Sequence, residues 1–87
     1  IICPSFVALP GVLALMRECT NISIAAQGCS PHPAGSFSAQ VDALSLAEAG
    51  CQFVIIGHPE HKRYLHETDS EREERLLMTL MAGLTPI

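Results

Sequence analysis

Eighty-seven residues, 48% hydrophobic and 16% charged, make a core-forming chain that is short for an independent domain, since a chain this small buries only roughly 60–65% of its unfolded surface. The net charge of −4, nine acids against five basic residues, excludes the basic patch of a nucleic-acid binder and the cationic face of a membrane-surface helix. No apolar run approaches the roughly 20 residues that span a bilayer and the start lacks the charged n-region of a signal peptide, so a soluble, cytoplasmic protein is expected.

Both ends are apolar, Ile1-Ile2-Cys3 and Leu84-Thr85-Pro86-Ile87, and there is no initiator methionine, so residues 1–87 read as a single partial domain, incomplete at both ends. Runs suited to buried strands lie at Ile1–Cys3, Ile22–Ala26, Gln52–Ile56 and Leu84–Ile87, with a helix-like stretch in each gap. That order is (βα)₃β, an α/β class. Because the runs are apolar at consecutive rather than alternate residues, the reading is of parallel strands with both sheet faces covered.

In the first gap Pro10 opens a helix through Val12, Leu13, Leu15 and Met16, which Asn21 closes. Gly28–Gly35 is a loop. Ser38 caps the next helix, with Val41, Leu44 and Ala47 on one face and Gly50 just past its end. A short helix begins at Pro59, where a missing amide hydrogen costs nothing. The last helix has two possible capping boxes, Thr68 with Glu71 or Ser70 with Glu73, an ion pair of Glu71 and Arg75 one turn apart, and an apolar face of Leu76, Leu77, Leu80 and Met81 before Gly83. Cys3, Cys19, Cys29 and Cys51 fall in or beside these elements and read as small buried thiols of a reducing compartment.

The most informative stretch is Phe53-Val54-Ile55-Ile56-Gly57-His58-Pro59-Glu60, a buried-strand pattern that ends in a glycine, a histidine and an acid. Ligands of α/β proteins sit at the carboxyl ends of strands. With a helix starting at Pro59, His58 faces the positive end of that helix, which disfavours the imidazolium; the neutral ring can accept the Glu60 N–H at one nitrogen and donate from the other. Such a ring is suited to polarising a substrate carbonyl. His58, His61 and His66 with Cys29 and His32 match no common zinc spacing, and Gly28 and Gly35 lack a dinucleotide fingerprint, so neither a metal nor a cofactor is expected.

Ala25-Ala26-Gln27, Gly35-Ser36-Phe37-Ser38, Gly50 through Glu60, Glu67-Thr68-Asp69 and Ala82-Gly83-Leu84 together resemble the triosephosphate isomerase family in order and spacing over most of the chain. The resemblance implies the second through fifth strands of a (βα)₈ TIM barrel. It implies an aldose–ketose isomerase of glycolysis and gluconeogenesis that interconverts dihydroxyacetone phosphate and glyceraldehyde 3-phosphate through an enediolate. His58 is then the electrophile and Glu60 the supporting acid near a catalytic lysine. The pairing of a glutamate base with a neutral histidine is this family's known pattern, not something these residues establish.

The lysine, the glutamate base and the phosphate loops would come from strands outside these residues, so the chain alone is expected to be inactive. The resemblance further implies a homodimer through the Gly35–Gln40 loop, with Phe37 and Ser38 at the interface. Gln40 stands where the family usually has glutamate and His61 where it has arginine, which reads as coupled replacement of an intersubunit ion pair. Pro59 in place of serine and His66 in place of glycine are further departures. The alternatives are an isomerase of a four-carbon ketose phosphate on the same fold and a non-catalytic barrel relative kept for binding.

Overall fold

Seven elements follow one another in the computed structural model, which describes residues 1–87: α1 (Leu9–Met16), β1 (Ala25–Ala26), α2 (Ala43–Ala49), β2 (Phe53–Val54), α3 (Pro59–Tyr64), α4 (Asp69–Met81) and β3 (Thr85–Pro86). The strands are parallel in the order β1-β2-β3, with Ala25 opposite Phe53 and Phe53 opposite Thr85. The first apolar run contributes a parallel bridge from Ile2 to Ile24 rather than a strand. Each named strand is shorter than its apolar run, but the ladder continues past it: Gln52 N–H donates to Ile24 O, Ile55 N–H to Ala26 O, and Ile87 N–H to Val54 O.

The core lies between the sheet and α1, α2 and α4. Leu9, Ile24, Ala26, Cys29, Ala43, Leu46, Cys51, Val54 and Leu84 form one buried cluster. Val54 is fully buried, and by burial alone its side chain contributes about 2 kcal/mol. Ile1, Ile2 and Ile87 are exposed, so the expectation that both sheet faces are covered does not hold within these residues.

Several helix assignments are corrected by what the neighbours demand. The cap of α2 is Asp42, not Ser38: its carboxylate accepts the Ser45 N–H at 2.8 Å and the Ser45 hydroxyl at 2.7 Å. An ionised carboxylate at a helix start gains from the dipole as well as from the hydrogen bonds. The buried face of α2 is Ala43 and Leu46, and Leu44 is exposed. On α1, Leu9, Val12, Leu13 and Met16 face the core while Leu15 points away.

The phase of α4 is the largest departure. Thr68 and Glu71 form the capping box, but Leu76, Leu77, Leu80 and Met81 are 38–72% exposed. The inward face is Arg75, Met78, Thr79 and Ala82, because the helix must pass close to Cys29: Thr79 Oγ1 lies 3.4 Å from the Cys29 sulfur, and a leucine there would keep the elements apart. The four thiols are free, Cys29 and Cys51 buried as expected but Cys19 exposed. Burial pushes the Cys29 and Cys51 thiols above their ordinary value, which makes them poor nucleophiles.

Candidate active site

The β2 strand ends at Val54, and three residues later the chain turns at Gly57 with φ +71° into His58, the N-cap of α3. Pro59 occupies the first turn, as its fixed φ and missing donor favour. His58 Nδ1 accepts the Glu60 N–H at 3.2 Å. An imidazole that accepts at Nδ1 carries its proton on Nε2, which leaves one N–H to offer elsewhere. Glu60 Oε2 lies 3.8 Å from the same Nδ1, and the two side chains are 47% and 71% accessible. Gln27, Ile55, His58, Glu60 and His61 line a concavity of about 190 Å³ at the carboxyl ends of the strands.

Around this concavity the structure gathers some of the residues singled out by sequence and disperses others. His61 is one helical turn beyond His58, their ring centroids 6.1 Å apart. It turns inward, with Cε1 against Gly28 and Nδ1 4.0 Å from Glu67 Oε1. Gln40 and His61 line one larger cavity of about 570 Å³ together with Gln27, Cys29 and Arg75. Phe37 and Ser38 stand apart from it on the exposed loop, Phe37 stacked on His32 with centroids 4.4 Å apart. Gln27 reaches back to Cys3 O at 3.0 Å and ties the β1 end to the chain start.

This geometry matches known proteins along its whole length. The family model described as triosephosphate isomerase matches residues 1–87. The chain belongs to the triosephosphate isomerase family. The triosephosphate isomerase of Chloroflexus aurantiacus is 38% identical over 87 residues, all of this chain and 34% of that protein. That of Wolbachia sp. subsp. Brugia malayi is 40% identical over the same span and 35% of its length. The crystal structure of triosephosphate isomerase from Bartonella henselae superposes with a TM-score of 0.89 at 28% identity, covering 98% of this chain and 35% of that one. The chain thus spans about a third of these relatives, and its parallel strands and helices are a segment of a TIM barrel.

Within the triosephosphate isomerase segment, a buried polar cluster behind His58 escaped sequence reasoning. Glu67, 8% exposed, pairs with Arg75 Nε at 3.0 Å, and Arg75 Nη1 donates to the Cys29 carbonyl. The expected Glu71–Arg75 pair does not form, because Glu71 is taken by Thr68 and Arg75 turns inward. The Glu67 N–H donates to His61 O, so α3, α4 and the loop after β1 meet at this acid. The available signal was an acid between two helices with an arginine eight residues on.

Proposed function

We propose that these residues are the second-to-fifth-strand segment of a triosephosphate isomerase that interconverts dihydroxyacetone phosphate and glyceraldehyde 3-phosphate. The observation that carries this reading is His58 at a strand's carboxyl end, its Nδ1 occupied by the Glu60 N–H and its Nε2–H free for a carbonyl oxygen. A hydrogen bond from Nε2 gains strength as negative charge grows on that oxygen, so it stabilises the enediolate more than the ground-state ketone. Glu60, beside the ring, is the supporting acid. The proton between the two substrate carbons must be moved by a base, and no residue here is assigned that role. The segment alone is therefore inactive, and measurable isomerisation by the purified 1–87 polypeptide would contradict this.

Family membership supports the remaining parts of the reading: a cytoplasmic homodimer of glycolysis and gluconeogenesis, formed through the exposed Gly35–Gln40 loop with Phe37 and Ser38 at the contact. The test is His58→Gln in the full-length protein. Replacing the ring Nε2–H with an amide donor that the Glu60 N–H no longer orients should lower kcat by about 10²–10³-fold while affinity for a ground-state analogue changes little. Equal losses in turnover and in analogue binding would assign His58 to binding alone.

A further inference from the structure

The turn that aims His58 has little backbone support of its own. Ile56 N–H donates to Ile87 O at 2.9 Å and His61 N–H to His58 O at 2.9 Å, but between them neither Gly57 nor His58 donates to another backbone group. Glycine is as free on the positive side of φ as on the negative, so an unsupported glycine hinge leaves the following side chain poorly aimed. What lies against Gly57 is Arg72. A Cβ built at Gly57 would meet Arg72 Cδ at 2.9 Å and Cγ at 3.7 Å, so the methylene stem covers the glycine's α-carbon.

The stem has a partner at each end. Arg72 N–H donates to Thr68 O at 3.1 Å in a first turn set by the capping box, and Nη2 reaches Asp69 Oδ1 at 3.3 Å. Long cationic side chains routinely pack their apolar stems while the head stays in water. Here the packed object is the hinge before His58.

We propose that Arg72 is a positioning residue for His58: its methylene stem, lying over Gly57, holds the φ +71° turn and thereby aims the imidazole. The functional consequence rests on the electrophile reading of His58, but the geometric claim does not. The stem is the working part, so its charge is dispensable. In the full-length protein with ¹⁵N-labelled histidine, Arg72→Ala and Arg72→Asn, which both lose Cδ, should replace the single Nε2–H tautomer signature of His58 with an average of both tautomers. They should also speed exchange of the Glu60 amide about tenfold, while Arg72→Met, which keeps an unbranched stem without charge, leaves both readings as in the parent.

The proposal is overturned if both truncations match the parent, if Arg72→Met behaves like them, or if both truncations lose the fold by circular dichroism. That last outcome would make the contact a general support of α4. Full turnover in His58→Gln would remove the electrophile reading and leave the Arg72 comparison intact, so the two failures are separable.

Discussion

Ala39 and His66 hold φ of 63° and 55°, a left-handed conformation that costs an L-residue about 1–2 kcal/mol and glycine nothing steric. Both are exposed within residues 1–87, so packing inside this chain does little to offset the strain. Histidine visits this region several times more readily than most residues, alanine does not, and the glycine's extra unfolded-state freedom takes back about 0.5–1 kcal/mol. Ala39→Gly should therefore raise unfolding stability by about 0.5–1 kcal/mol and His66→Gly by less. Urea midpoints at unchanged m would show that order, and a reversed order would refute the strain argument. The departure at His66, where the resemblance sets glycine, thus has a physical content that spacing could not display, because backbone dihedrals leave no mark on composition. His58 was legible for the opposite reason: a buried run ending in glycine, histidine and proline allows few structures besides a strand entering a helix start.

Elements were legible where local chemistry decides them and misread where a neighbour does. The Thr68–Glu71 box follows from sequence because both partners lie within one turn. Helical periodicity shows that α4 carries an apolar stripe without showing that Met78, Thr79 and Ala82 are the residues that meet Cys29 and the sheet within residues 1–87. Asp42 went unseen as a cap because Ser38 offered an earlier hydroxyl. The two true caps make a pH prediction. The Thr68 backbone N–H, then its hydroxyl, hold the Glu71 carboxyl below its ordinary range, and the Ser45 backbone N–H, then its hydroxyl, do the same for Asp42. A carboxylate with a depressed folded value stabilises the fold above the ordinary carboxylate range, and that contribution is lost as pH falls through the depressed value. Thermal melts from pH 7 down to 2 should thus fall off less steeply in Glu71→Gln and in Asp42→Asn than in the parent. Curves that stay parallel would show that neither cap is coupled to folding.

At the scale of the whole molecule the question is how the proposed subunit contact would tolerate Gln40 and His61 where the resemblance sets a glutamate and an arginine. The two line one cavity within this chain, and His61 lies next to Glu67, itself paired to Arg75. Restoring arginine alone at 61 adds a fixed cation beside a carboxylate that already has a partner, in a site only 18% accessible. Two cations sharing the one Glu67 carboxylate leave a part-buried positive charge uncompensated, which is costly. Restoring glutamate alone at 40 adds an anion with no new cation to meet it. Each single change should therefore weaken the proposed homodimer, and the pair together should recover at least about 1 kcal/mol of the summed loss, a non-additivity that residues sharing one electrostatic site show and distant residues do not. Dissociation constants from analytical ultracentrifugation of the full-length parent, Gln40→Glu, His61→Arg and the double variant complete the cycle. Raising the salt concentration should shrink the coupling, because position 40 is exposed and its charge is open to screening. Additive losses would mean that the two positions drifted independently and that the loop contact is held by Phe37 and Ser38 without help from charge.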